Sequence, residues 1–111
     1  SKWTPRMSVV AAYARRLAPK LIGVEIDVQI ASSVSWPFAA AYGQRRLVLN
    51  LGRLGHRWFE GDLEPINDLL LHELAHESAS DHLSNKYHEA LTSLGARMTT
   101  VALQEPDLFL L

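Results

Sequence analysis

The chain has 111 residues, 48% hydrophobic and 21% charged, which suits one globular domain with its own core. Lys and Arg total 11 against 12 for Asp and Glu, so charge alone gives no reason to expect a nucleic acid or an anionic membrane as partner. The absence of cysteine excludes disulfides and thiolate metal sites, so any metal must be bound by His, Asp or Glu.

The amino-terminal third predicts a helix followed by a strand. Thr4 is the expected N-cap, Pro5 takes the first helical position, and Pro19 is expected to end the helix. Residues 23–30 alternate apolar and polar side chains, which predicts a strand with one buried and one wet face.

The middle of the chain predicts two more strands, in residues 36–42 and in RRLVLNL, residues 45–51, joined by a tight turn at Gly43 and Gln44. Residues 51–62 carry three glycines and are predicted to form a loop with a short helical turn at Trp58 and Phe59.

The carboxy-terminal half predicts two helices. The first, the motif helix, spans residues 63–78 with Asp62 as N-cap, and the second spans residues 84–103 with Ser84 as N-cap. The tail after Pro106 is apolar and is expected to pack on the body or to continue into further sequence. We therefore expect an α+β fold in which a small, mainly antiparallel three-stranded sheet packs on the motif helix, with flanking helices.

The motif helix carries HELAHESASDH, residues 72–82. His72 and His76 are four residues apart and lie on one helix face, so both imidazoles can bind one Zn²⁺. Glu73 projects beside the metal and is placed to take a proton from a water that the metal holds. The pattern predicts a metal site with a catalytic base.

The third metal ligand is expected to be His82. A straight helix would carry this residue away, so the chain is expected to bend after His76, through SASD, and to leave the fourth zinc position open, as in catalytic sites. Asp81 is the main alternative ligand, and Glu89 or His88 could replace it if the bend differs.

The spacing HExxHxxxxxH resembles that of metallopeptidases of the zincin superfamily. The following run, DHLSNKYHEAL, is similar to the pattern found after the motif in the WLM and SprT-like (Spartan-type) families. Metzincins share the histidine spacing but have glycine where this chain has Ala79. The tail also looks like one found at the carboxy end of larger bacterial proteins with a GHKL-type ATPase.

The resemblance implies a minimal zincin-like fold and zinc-dependent hydrolysis of peptide bonds, with Glu73 as the proton shuttle. It also implies that a peptide substrate lies antiparallel to an edge strand above the motif helix, for which RRLVLNL is the candidate. Residues 1–111 are expected to form a single domain excised from a larger polypeptide.

Three further residues have two interpretations each. Asp68 lies one turn before His72 and could orient it, although a solvated acid in the first turn is as good an interpretation. Tyr42 and Tyr87 could each donate a hydrogen bond to a developing oxyanion, but core packing is favoured, since Tyr87 falls on the apolar stripe of the last helix.

Four arginines cluster between the third strand and the loop, and a solvated rim is favoured there over contact with nucleic acid. They are Arg45, Arg46, Arg53 and Arg57. Trp3, Trp36 and Trp58 are expected to be core or loop anchors, and His56 a surface residue.

The predicted function is that of a zinc metallopeptidase acting on protein or peptide. The main alternative is a zinc-binding module without catalysis that regulates or recognises protein segments in a larger assembly, and hydrolysis of a non-peptide amide is a third. No apolar run is long enough to cross a bilayer and the start lacks a secretory signal, so we expect a cytoplasmic protein without membrane contact.

Overall fold

The computed structural model describes residues 3–79 and 84–111, which form an α+β fold. The elements in these ranges are α1 (Pro5–Ile22), β1 (Asp27–Ala31), β2 (Ala40–Gly43), β3 (Arg46–Asn50), α2 (Leu51–Leu54), α3 (His56–Glu60), α4 (Leu63–Leu74) and α5 (Asn85–Gln104), with 3₁₀ turns at Ala75–Glu77 and Pro106–Phe109. The predicted order of helix, three strands, motif helix and last helix is confirmed. The prediction of a loop is wrong for most of residues 51–62, which α2 and α3 occupy, whereas the helical turn predicted at Trp58 and Phe59 is confirmed as part of α3.

Helix α1 begins as predicted but ends later. The Thr4 hydroxyl accepts a hydrogen bond from the Met7 amide, as an N-cap does. The prediction that Pro19 ends the helix is wrong: α1 continues to Ile22, and Gly23, with φ of 75°, closes it. Proline removes one helical hydrogen bond, but Leu21 is fully buried, and this packing keeps the last turn helical.

The sheet is mixed, with strand order β1-β3-β2, so the prediction of a mainly antiparallel sheet is wrong. Strand β3 pairs with β1 in parallel and with β2 antiparallel. The tight turn is confirmed, but it lies one residue later than predicted, at Gln44 and Arg45, whose φ angles of 52° and 58° match the turn type that joins two-residue hairpins. The loop of residues 32–39 carries the chain from β1 to the far edge, so β3 returns between the other two strands.

A buried asparagine fixes the loop of residues 32–39. Asn50 is fully buried, and its side chain accepts from the amides of Ser33 and Gly52 and donates to the carbonyls of Ser33 and Phe38. Gly52 lies so close that a Cβ there would stand 2.5 Å from the Ser33 oxygen. The loop is therefore tied to the start of α2 by polar contacts that leave no space for a side chain at position 52.

The core lies between the sheet and helices α1 and α4. The fully buried large side chains include Tyr13, Leu17, Leu21, Leu47, Leu49, Phe59, Ile66 and Leu70. The tail packs on this body, with the ring of Phe109 5.8 Å from that of Tyr13 in an edge-to-face arrangement. Within residues 3–79 and 84–111, no helix has the length and apolarity needed to span a membrane.

Candidate metal centre

Helix α4 carries the HExxH residues on its last turns. The predicted apolar line is confirmed, because Ile66, Leu70 and Leu74 are buried against the core. Asp62 holds the N-cap position, but its side chain makes no capping hydrogen bond. The α-helical part ends at Leu74, earlier than predicted, and the chain continues as a 3₁₀ turn through Glu77. His76 therefore lies where the helix tightens and ends.

The imidazole of His72 is oriented by its own helix. Its Nδ1 lies 2.8 Å from the backbone oxygen of Asp68, whereas the Asp68 carboxylate is 3.7 Å away. A carbonyl oxygen can only accept, so Nδ1 donates its proton and Nε2 of the neutral ring keeps its lone pair. The Asp68 side chain is 73% exposed, so of the two interpretations of this residue the solvated acid is favoured over the orienting carboxylate.

The imidazole of His76 is held in the same way. Its Nδ1 lies 3.0 Å from the backbone oxygen of Ala79, beyond the end of the 3₁₀ turn. As with His72, the carbonyl can only accept, so Nδ1 carries the proton and Nε2 is the nitrogen with the lone pair. The two rings thus have the tautomer that zinc ligation through Nε2 requires.

Tyr87, from α5, packs against both histidines. Its hydroxyl donates to the backbone oxygen of His72 at 2.7 Å, and its ring lies 5.0 Å from the His76 ring. Burial, and then the charges of Glu73 and Asp68, raise the pKa of Tyr87. The side chain is 2% exposed, so the packing role predicted for Tyr87 is confirmed. Its hydroxyl satisfies a carbonyl in the last turn of α4, where intrahelical donors run out.

Glu77 ties the β2–β3 hairpin to the end of the motif helix. The Tyr42 hydroxyl donates to Glu77 Oε1 at 2.6 Å, and Arg45 Nε donates to Oε2 at 3.4 Å. Burial, and next the Glu77 carboxylate, raise the pKa of Tyr42, so its hydroxyl stays protonated. Tyr42 is therefore used as a donor to Glu77. Sequence analysis missed Glu77, because no motif or periodicity distinguishes it from other acids at a helix end.

The open edge of the sheet is β2, and the prediction that RRLVLNL forms this edge is wrong. Asn50 N donates to the Ala39 oxygen, and Gly43 faces Arg46 across the turn, so alternate residues of β2 bond to β3. The backbone groups of Ala40 and Tyr42 consequently face away from β3, and no other strand within the described ranges pairs with them. The opposite edge, β1, is contacted by α1, whose Arg15 donates to the Val28 oxygen.

The expected third ligand, His82, and its alternative, Asp81, lie outside the described residues. In residues 3–79 and 84–111, no group of three His, Cys, Asp or Glu side chains could hold a metal ion, so neither Glu89 nor His88 joins His72 and His76 there. Glu89 instead lines a cavity of about 360 Å³ that is bordered by Leu74 and Arg97.

Three arginines of the cluster contact other parts of the chain. Arg45 bonds to Glu77, Arg46 lies 3.9 Å from the Asp27 carboxylate, and Arg53 donates to the carbonyls of Val34 and Trp36. These contacts fit the solvated rim better than a nucleic-acid surface. His56 is exposed as predicted, while Trp3 and Trp58 pack partly buried against the core.

Comparison of the chain with protein-family models, with curated proteins and with solved structures found no match.

Proposed function

We propose that this chain is a zinc-dependent metallopeptidase domain with a minimal zincin-like fold. The observation that carries the proposal is the orientation of two imidazoles four residues apart: in His72 and in His76, Nδ1 contacts a backbone oxygen, which fixes how the ring is turned and which tautomer it adopts. Orientation of metal-binding histidines through their other nitrogen is the usual second contact of such sites. The order of the elements around α4 also supports the zincin-like fold.

The donor set suits zinc, since imidazole nitrogen is among its preferred ligands and the chain has no thiolate to offer. His72 and His76 would supply two ligands, and His82 the third, with Asp81 as the alternative. When bound, Zn²⁺ polarises the scissile carbonyl and makes a bound water acidic enough to attack near neutral pH.

Glu73 is the proposed general base and acid. Its carboxylate takes a proton from the attacking water, whose oxygen bonds to the carbonyl carbon of the substrate. Glu73 then delivers that proton to the amide nitrogen as the carbon–nitrogen bond breaks, and the amine leaves. Its place between two metal-binding histidines is the reason for this role, because a purely structural zinc site has no use for such an acid.

The substrate is proposed to lie antiparallel along β2. The backbone groups of Ala40 and Tyr42 face outward and can hydrogen-bond an extended peptide. Through Tyr42 and Arg45, Glu77 holds the β2–β3 hairpin to the end of α4, one residue after His76. Side-chain contacts thus set how far the peptide-binding edge lies from the metal-binding helix.

The test combines zinc analysis with a cleavage assay on an unfolded protein substrate. We expect about one zinc per chain and loss of that zinc in His76→Ala, with His56→Ala as the matched control on an exposed histidine. We expect Glu73→Gln to keep the zinc and to lower kcat/KM by about 10²–10⁴-fold. Glu64→Gln, in the first turn of the same helix, should leave both properties unchanged.

Three outcomes would refute the metallopeptidase. Absence of zinc binding removes the site altogether. Full zinc occupancy without cleavage, or cleavage that is unaffected by Glu73→Gln, leaves a zinc-binding recognition module instead.

The third ligand has its own test. Removal of a zinc ligand weakens zinc binding far more than removal of a neighbouring acid, so His82→Ala and Asp81→Ala should differ sharply in zinc affinity. We expect His82→Ala to lose the metal and Asp81→Ala to retain it, as measured by competition with a zinc-binding dye. The reverse order would make Asp81 the ligand.

A further inference from the structure

The loop of residues 32–39 presents apolar side chains to solvent. Trp36 and Phe38 are 37% and 53% exposed, and their rings stand edge to face with centroids 6.1 Å apart. Val34, in the same loop, is 79% exposed. Large aromatic side chains in such positions are typical anchors for a binding partner, since each offers wide contact area for little loss of conformational freedom.

The backbone that carries these rings is fixed by hydrogen bonds from two side chains. Arg53 donates to the carbonyl oxygens of Trp36 and Val34, at 2.6 and 2.9 Å, and Asn50 donates to that of Phe38 at 3.0 Å. Three backbone carbonyls of the loop are thus hydrogen-bonded by side chains from the end of β3 and from α2. A ligand that contacts the rings meets a conformation that is already ordered, which lowers the entropic cost of binding.

The aromatic pair comes shortly before β2, the open edge strand, along the chain. Phe38 comes two residues before Ala40, where β2 begins. A peptide that runs antiparallel to β2 passes from Gly43 towards Ala40, so its carboxy-terminal part continues towards Phe38 and Trp36. The strand edge binds only peptide backbone, and the rings add contacts that depend on the side chains of the peptide.

We propose that Trp36 and Phe38 select the substrate, and that the preferred substrate is an extended polypeptide segment with aromatic or large aliphatic side chains, as exposed by unfolded proteins. This inference rests on the proposed function, because it requires the substrate to lie along β2. In this arrangement Asn50 and Arg53 are positioning residues that act through the loop backbone.

The experiment separates binding from hydrolysis. Glu73→Gln is made in the full zinc-loaded chain, so that peptide stays intact, and fluorescence anisotropy measures the Kd of two labelled unstructured peptides. One peptide carries Phe and Leu at alternating positions, and the other carries Ser in their place. We expect the apolar peptide to bind about tenfold more tightly, which corresponds to one good anchor contact.

Replacement of the rings should abolish this preference. We expect Trp36→Ala with Phe38→Ala to bind the two peptides alike, whereas Leu103→Ala, a change at an 80% exposed leucine on α5, keeps the difference. Thermal unfolding of each variant checks that it is folded, as expected for changes at exposed side chains. An equal preference in the double variant and in its parent would overturn the inference.

The same variants in the chain with Glu73 intact distinguish the two proposals. If cleavage depends on Glu73 but not on the rings, the selection by Trp36 and Phe38 is wrong and the peptidase stands. If the apolar peptide binds through the rings but no variant cleaves, the peptidase is wrong, and the loop belongs to a peptide-binding module.

Discussion

The side chains on the two faces of α4 are fixed by different interactions. On the inner face, Ile66 and Leu70 are fully buried, so the position of the helix is fixed by packing. On the outer face, the His72 side chain is 46% exposed and is held through a hydrogen bond to a backbone oxygen. One helix thus separates the residues that stabilise the fold from those that carry the proposed chemistry, and each face can be altered while the other is monitored.

The largest stability effect is expected on the inner face. Leu70→Ala should lower the free energy of unfolding by about 2–5 kcal/mol, because it leaves a cavity in a packed core. Urea denaturation measures the change, and Leu103→Ala, the same substitution at an exposed site, should stay within about 0.5 kcal/mol. Similar losses in the two variants would show that the inner face is not the packed side.

A smaller effect, which depends on pH, is expected where α1 meets the inner side of α4. The Tyr13 hydroxyl donates to Asn67, and burial raises the pKa of Tyr13 to about 12. In the unfolded chain the Tyr13 phenol ionises near pH 10. Its contribution to the free energy of unfolding is therefore complete below pH 10 and is lost as pH rises through about 12. Its size is on the order of 2 kcal/mol.

Tyr13→Phe tests this contribution by urea denaturation at pH 8 and pH 11. The variant should be less stable than the wild type at pH 8 and should lose less on going to pH 11, because it has no phenol to ionise at this position. Equal losses in the two proteins would contradict the buried, neutral state of Tyr13.

Sequence analysis predicted the inner face better than the outer one. The spacing of Ile66, Leu70 and Leu74 depends on a fixed helical period, so it specifies burial directly. On the outer face, the histidine spacing predicts the proposed ligands but not their partners, which are the carbonyls of Asp68 and Ala79, because a backbone oxygen gives no signal in the sequence. The contact of Glu77 with Tyr42 could not be predicted either, since it joins residues 35 positions apart in the sequence.

The strand order escaped prediction for a similar reason. The alternation in residues 23–30 and in RRLVLNL predicts strands but does not say which strands are neighbours. The long connection of residues 32–39 allows β1 to pair with either side of the hairpin. Asn50, which fastens this connection, gives no signal in the sequence beyond being a polar residue after an apolar run.

A moderate effect is expected where α5 supports the outer face. Tyr87→Phe keeps the ring beside His76 and removes the hydroxyl that donates to the His72 carbonyl. We expect a loss of about 1 kcal/mol in unfolding free energy, together with faster hydrogen exchange of the amides at the end of α4. Unchanged exchange there would mean that the hydroxyl does not secure the helix end.

The smallest effect is expected at Asp68. Asp68→Asn keeps the backbone oxygen that accepts from His72 Nδ1 and changes only an exposed carboxylate. Stability should therefore shift by no more than about 0.5 kcal/mol, and zinc affinity, measured by dye competition, should stay the same. A tenfold loss of zinc affinity would instead assign the orientation of His72 to the carboxylate.

The close approach of Gly52 to the Ser33 backbone limits which residues position 52 can accept. Because a Cβ at this position would collide with the Ser33 backbone, even alanine would displace the loop of residues 32–39 and break its hydrogen bonds to Asn50. At Gly95, within α5, a Cβ would meet nothing within 4 Å, and alanine there should favour the helix. If both positions were randomised and the library were screened for folded protein, only glycine should be recovered at position 52, whereas many residue types should be recovered at position 95.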